Sequence, residues 1–135
     1  MLGECDFLSL HLHLNAGTRK IIDKRRLALL KPEAFLINVA RGALVDEEAL
    51  HQALTNGRLA GAGLDVFAGE PMDPHHPMLK LPNIVATPHI SGSTFGTSKR
   101  RAACVAENLD RLAKGLEPLY RVDNPRPQPA PAGRD

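Results

Sequence analysis

Phe35-Leu-Ile-Asn-Val-Ala-Arg41-Gly-Ala-Leu-Val-Asp46-Glu47-Glu48-Ala-Leu50 is the stretch whose reading decides the fold. Phe35 to Val39 has the length and composition of a buried strand. Gly42 permits a sharp exit from it. Asp46 is an N-cap residue, and Glu47 and Glu48 fall in the first helical turn, where negative charge suits the helix dipole. Leu50, Ala53 and Leu54 form the apolar stripe of that helix, and Gly57 is a good stop. A second apolar run, Ala60 to Phe67, follows directly. Two buried strands joined by a helix-length crossover predict a parallel sheet.

The pattern extends in both directions. Upstream, Cys5 to Leu12 is another strand candidate, and Asn15-Ala16-Gly17 reads as a turn. Asp23 caps a short helix carrying Leu27, Leu29 and Leu30 before Pro32. Downstream, residues 71–82 form a Pro-rich loop and Asn83 to Thr87 a fourth strand. Ser93 or Thr94 caps a long helix ending near Lys114, with Ala102, Val105, Ala106, Leu109, Leu112, Ala113 and Leu116 at helical spacing. Residues 1–120 are expected to form a partial domain, and 121–135 a flexible Pro-rich tail. The order β-α-β-α-β-loop-β-α predicts an α/β fold: half of a doubly wound parallel sheet, about four strands with flanking helices.

Composition narrows the function classes. The net charge of +2 is too small to indicate nucleic acid. Lys24-Arg25-Arg26 and Lys99-Arg100-Arg101 read as solvated helix faces, because no aromatic residues interleave them. No apolar run is long enough to cross a membrane, and the first residues lack the basic region of a signal peptide. Cys5 and Cys104 make no disulfide framework and read as small buried hydrophobes in a reducing, cytoplasmic setting.

Three strand-like runs end in residues able to do chemistry. Arg41 follows the first and could fork onto a carboxylate, or simply face solvent. Asp65 and Glu70 follow the second, as an acid/base pair, a metal site or a cap arrangement. His89 follows the third in Thr87-Pro-His-Ile-Ser-Gly92, where an imidazole suits proton exchange with an alcohol or carbonyl. His11 and His13, two residues apart, are a two-ligand metal pattern without an evident third ligand, so no metal is expected. Neither Gly-x-Gly-x-x-Gly nor Gly-x-Ser-x-Gly occurs, so the chain shows no phosphate-cradling turn and no nucleophile elbow.

Four segments together resemble the D-isomer-specific 2-hydroxyacid dehydrogenase family. They are His11-Leu-His-Leu-Asn-Ala-Gly-Thr-Arg19, Leu36-Ile-Asn-Val-Ala-Arg-Gly-Ala-Leu-Val-Asp-Glu47, Gly63-Leu-Asp-Val-Phe-Ala-Gly-Glu-Pro71 and Pro82-Asn-Ile-Val-Ala-Thr-Pro-His-Ile-Ser-Gly92. The resemblance spans about residues 5–120 and implies the C-terminal part of a Rossmann-like NAD-binding domain. It implies a reversible reduction of a 2-oxo acid to a D-2-hydroxy acid with NAD or NADP, in a full-length homodimer. By this resemblance Arg41 grips the substrate carboxylate and polarises its C2 oxygen. His89 is the general acid/base and Glu70 its partner. Asp65 contacts the nicotinamide end of the cofactor. Val39, Ala40, Arg41, His89, Ser91 and Gly92 also fall at cofactor-contact positions.

The chain departs from the family pattern in two places. His13 stands where Pro is usual and Asn15 where Thr is usual, which alters the expected cofactor wall. The family's Gly-rich loop and most of its substrate domain would precede Met1. The rival expectation is therefore a truncated, non-catalytic fragment or an interaction module on the same scaffold. Glu70 distinguishes the chain from related formate dehydrogenases, which carry Gln there and need no proton transfer.

Overall fold

The computed structural model describes residues 1–121. The described residues fall into two compact units, Met1–Gly92 and a second that begins at Ser93. The expected tail, apart from Arg121, lies outside the described residues.

The first unit is a four-stranded, all-parallel sheet in the order β1-β2-β3-β4, with β1 Phe7–Leu10, β2 Phe35–Asn38, β3 Gly61–Leu64 and β4 Ile84–Ala86. Each strand is shorter than its apolar run. The trimmed residues at the carboxyl ends belong to turns that carry the candidate site residues. Helix α1, Lys24–Leu27, starts at Asp23, whose side chain accepts from the Arg26 N–H. Helix α2, Glu47–Thr55, starts at Asp46, which accepts from the Ala49 N–H. Gly57 follows it at φ 64°, a conformation costly for residues with a Cβ.

Alternation along the strands divides the sheet into two unequal faces. Leu10, Leu36, Ala62 and Leu64 join Leu27, Leu30, Leu44, Leu50, Leu54 and Leu59 in one buried aliphatic cluster. Truncating one of these leucines to Ala typically costs about 2–5 kcal/mol. On the other face Phe7 stacks on Phe35 with ring centroids 5.5 Å apart. Phe7 and Val85 nevertheless remain exposed. Leu29, expected in the apolar pattern of α1, also points to solvent. Helix α1 is too short to present three leucines to one side.

The Pro-rich loop contains one short 3-10 helix, Pro77–Lys80, which buries Met78. The second unit contains α3, Phe95–Ala113, capped by Thr94 accepting from the Thr97 N–H. Its apolar stripe forms as the spacing predicts, but none of its residues is buried. Cys5 and Cys104 are half-buried free thiols rather than buried hydrophobes. Cys5 sits before β1, where its Sγ donates to the Leu2 carbonyl. No helix among the described residues is long and apolar enough to cross a membrane.

Candidate active site

The exit from β2 is shaped by a buried amide. Asn38 is 1% exposed in an otherwise apolar strand. Its Nδ2 donates to the Arg41 carbonyl at 3.0 Å, and its Oδ1 accepts from the Ala40 N–H at 3.1 Å. These bonds fix the turn through Val39, Ala40 and Arg41. The Arg41 side chain is exposed. Its Nη1 donates to the Ala40 carbonyl at 2.6 Å, and it makes no ion pair among the described residues.

Gly42 then crosses the exit from β3 at close range. A Cβ there would lie 1.9 Å from the Phe67 carbonyl carbon, which no side chain tolerates. The residue expected merely to let the chain turn sharply is also the contact between two strand ends. Glu47 reinforces it. Beyond its place in the first turn of α2, its Oε1 accepts from the Ala68 N–H at 2.7 Å.

Asp65 organises the loop after β4. It is 3% exposed. Oδ1 accepts from the Thr87 hydroxyl at 2.5 Å and the Ile90 N–H at 2.8 Å, and Oδ2 accepts from the Ser91 N–H at 3.0 Å. Its backbone carbonyl takes the His89 N–H at 2.8 Å. Burial pushes the Asp65 carboxyl pKa up. Hydrogen bonds from Ser91, Thr87 and Ile90 outweigh it, holding the group well below the usual range.

The same bonds hold His89 at φ 55°, a left-handed conformation that non-glycine residues seldom adopt. Its Nδ1 lies 2.8 Å from Glu70 Oε2. Glu70 Oε1 accepts from the Phe67 N–H at 3.0 Å. That amide is the first cause lowering the Glu70 pKa. The His89 hydrogen bond follows, and the Arg41 charge acts in the same direction. An ionised Glu70 only accepts, so Nδ1 donates to it and Nε2 is left for a ligand.

The sequence-predicted site residues therefore fall into two groups. Asp65, Glu70, His89 and Ser91 are knitted together at the ends of β3 and β4. Val39, Ala40 and Arg41 form the turn after β2, and the Arg41 charge reaches Glu70. Gly92 ends the first unit and is exposed. Beside the first group is a cavity of about 360 Å³, walled by Phe67, Pro71, Met72, Leu79 and Pro88 and touching Glu70 and His89. Beside the second is a crevice of about 240 Å³ lined by His11, Leu12, His13, Val39, Ala40 and Arg41. No group of three or more metal-ligating side chains occurs among the described residues. Asn38, Thr87 and Glu47 were not singled out from sequence. Of these, only Asn38 leaves a signal, a lone amide inside an apolar strand.

A parallel α/β layer with a carboxylate–imidazole pair and a guanidinium at its strand ends defines the class: a ligand-binding unit of the doubly wound type. The family follows from the comparisons. Residues 1–91 match the family model described as D-isomer specific 2-hydroxyacid dehydrogenase, NAD binding domain, and the chain belongs to that family. It is 50% identical over 115 residues to glyoxylate/hydroxypyruvate reductase B of Pectobacterium carotovorum, covering 85% of this chain and 36% of that protein. Among solved structures it resembles the NAD-complexed D-isomer specific 2-hydroxyacid dehydrogenase of Lactobacillus delbrueckii ssp. bulgaricus, with 36% identity and a TM-score of 0.81. That match covers 90% of this chain and 41% of the neighbour. A dehydrogenase of the same description from Xanthobacter autotrophicus, in complex with NADPH and MES, is 37% identical with a TM-score of 0.75, covering 90% of this chain and 50% of the neighbour. The chain thus spans between about a third and a half of the length of these relatives.

Proposed function

We propose that this chain supplies the proton-transfer and carboxylate-gripping residues of an enzyme that reversibly reduces a 2-oxo acid to a D-2-hydroxy acid with NAD or NADP. The observation that carries the reading is the 2.8 Å contact between His89 Nδ1 and Glu70 Oε2, with the Arg41 charge acting on the same carboxylate. Glyoxylate and hydroxypyruvate, named in the relatives, are the first substrates to test.

The chemistry follows from the donor set. The guanidinium of Arg41 pairs with the substrate carboxylate and offsets charge growing on the C2 oxygen. His89 Nε2 delivers a proton to that oxygen during reduction and takes it back during oxidation, while Glu70 steadies the imidazolium form. Bound nicotinamide supplies or accepts the hydride. The crevice at the ends of β1 and β2 suits part of an anionic dinucleotide. Leu12, Val39 and Ala40 give it an apolar wall, and its polar lining residues are Arg41 and two histidines, with no carboxylate. Asp65, Ser91 and Gly92 complete the proposed cofactor contacts. The Asp65 carboxylate is already engaged by three donors, so its share in cofactor binding is to set the backbone of residues 89–91. A cytoplasmic, homodimeric full-length protein belongs to the same reading.

The test is NADH- and NADPH-dependent reduction of a panel of 2-oxo acids by the full-length protein carrying this chain. Arg41→Ala and His89→Ala should each abolish turnover, and Glu70→Gln should lower kcat more than it raises KM. Full activity in Arg41→Ala or His89→Ala would sink the proposal. A second reading, that the 135-residue chain by itself is non-catalytic, is favoured by the missing Gly-x-Gly-x-x-Gly. NAD titration of the isolated chain decides it. Weak or no binding is expected, and tight binding would overturn it.

A further inference from the structure

The turn that carries Glu70 has little backbone support of its own. Among the described residues, no main-chain carbonyl accepts from the N–H groups of Phe67, Ala68, Gly69 or Glu70. Two side-chain carboxylates take that place. Glu70 Oε1 accepts from the Phe67 N–H at 3.0 Å, and Glu47 Oε1 accepts from the Ala68 N–H at 2.7 Å. The Phe67–Ala68 peptide between these amides lies on Gly42, where a Cβ would meet the Ala68 nitrogen at 2.4 Å. Glu47 reaches the turn from a fixed base. The Lys20 N–H donates to the Ala43 carbonyl at 2.8 Å, the Ile22 N–H to the Leu44 carbonyl at 3.0 Å, and the Asp46 N–H to the Ile22 carbonyl at 2.9 Å. Lys20 Nζ lies 3.0 Å from Asp46 Oδ2, and Leu50 and Leu54 sink α2 into the core. A carboxylate on such a base sets the position of what it holds, whereas one on a loose segment would follow it.

We propose that Glu47 is a positioning residue for the proton-transfer pair: by holding the Ala68 N–H it sets the Phe67–Ala68 peptide, through that peptide the Glu70 carboxylate, and through Glu70 the His89 ring. The proposal rests on the reading of Glu70 and His89 given above and extends it to a side chain on α2. Each hydrogen bond in the relay is 3.0 Å or shorter. Both Glu70 and His89 are partly open to solvent, so packing alone does not fix them. The Phe67 N–H does most to keep Glu70 ionised, and a peptide free to drift would loosen that bond. The role requires an acceptor at the right reach rather than a negative charge. Gln at position 47 keeps the reach without the charge, and Asp keeps the charge one methylene short. The two variants therefore separate positioning from plain electrostatics. Plain electrostatics also has the opposite sign, because removing a like charge near Glu70 would make it easier to ionise.

The experiment has two arms. In the isotope-labelled 135-residue chain, NMR follows the Glu70 carboxyl titration and the amide exchange of Ala68. Glu47→Ala and Glu47→Asp should each move the Glu70 titration upward and speed Ala68 exchange about tenfold, with the remaining amide spectrum keeping its dispersion. Glu47→Gln should stay close to the parent in both. Glu48→Ala removes the neighbouring first-turn charge from an exposed position and should leave both at the parent values. In the full-length protein carrying this chain, Glu47→Ala should lower kcat about tenfold with KM for the 2-oxo acid changed less than about twofold, and Glu47→Gln should restore most of the loss. A Glu70 titration and Ala68 exchange unchanged in both Glu47→Ala and Glu47→Asp would overturn the proposal. So would Glu47→Asp behaving as the parent while Glu47→Gln behaves as Glu47→Ala, or an equal effect from Glu48→Ala, since either would make the effect one of charge. These outcomes leave the proposed function standing, because it is decided separately by Arg41→Ala and His89→Ala.

Discussion

The two halves of the candidate site are built in opposite ways. At the ends of β3 and β4 the carboxylates are satisfied from within. Asp65 takes three donors, and Glu70 is shared between the Phe67 N–H and His89. At the ends of β1 and β2 the Arg41 cation lines an open crevice, and among the described residues its guanidinium hydrogen-bonds the carbonyl beside it. A buried acceptor such as Asp65 is costly to leave unmade, so the loop it holds is ordered before any ligand arrives. Exposed cations cost little to leave unpaired, so the second half can wait for an anion. The proton transfer proposed for His89 needs fixed geometry, whereas the anion grip proposed for Arg41 needs available charge.

The largest effect should come from forcing the halves apart. Gly42→Ala places a Cβ inside the Phe67 carbonyl and should cost about 3 kcal/mol or more, read as a lowered urea midpoint. A midpoint within experimental error of the parent would mean the two strand ends are not in rigid contact. Next is Asp65→Ala, which leaves the Ile90 and Ser91 N–H groups and the Thr87 hydroxyl without their acceptor. The loss should be about 3 kcal/mol, with amide exchange at residues 89–91 accelerated before the sheet opens. Unchanged exchange there would break the assignment of Asp65 as the organiser of the His89 loop.

Acid offers a gentler probe of the same group. The folded Asp65 pKa lies below its unfolded value of about 3.9. Its stabilisation is therefore complete above that pH and is lost as pH falls from about 4 toward the folded value. Asp65→Asn should flatten this acid limb of the stability curve. A smaller change is expected at Glu70. His89→Ala removes one of the groups that lower its pKa, so the Glu70 carboxyl titration should move upward but remain depressed by the Phe67 N–H. A carbon-detected pH titration checks this, and no movement would mean the imidazole contact is absent in solution. The smallest stability effect belongs to the open half. Arg41→Ala should change unfolding free energy by no more than about 0.5 kcal/mol while abolishing the proposed carboxylate grip. A large destabilisation would make Arg41 part of the scaffold and close the contrast between the halves.

Much of this was legible in the chain. Apolar runs of strand length separated by Asp23 and Asp46 caps specify a parallel α/β layer, because caps and periodicity are local properties. The terminal Arg41, Glu70 and His89 were visible for the same reason, as polar residues punctuating apolar strands. What was not legible depends on partners distant in sequence. Asp65 reads as half of an acid/base pair, a metal or cap residue, or a cofactor contact until Thr87, Ile90 and Ser91 fold over it. Glu47 reads as a helix-dipole residue until Ala68 arrives beside it. Leu29 and the α3 stripe read as core until the packing leaves them uncovered.

The sequence by itself determined the order of elements, the places where helices start and stop, and which side chains stand at the strand ends. These follow from backbone propensity and from the period of the apolar residues. Only the tertiary structure decided that Gly42 lies on Phe67, that a buried carboxylate holds His89 in a left-handed turn, and that two histidines share a crevice with Arg41. Parallel strands bring residues together across crossovers of twenty or more positions. Such contacts are set by sheet register and close packing, which no local pattern records.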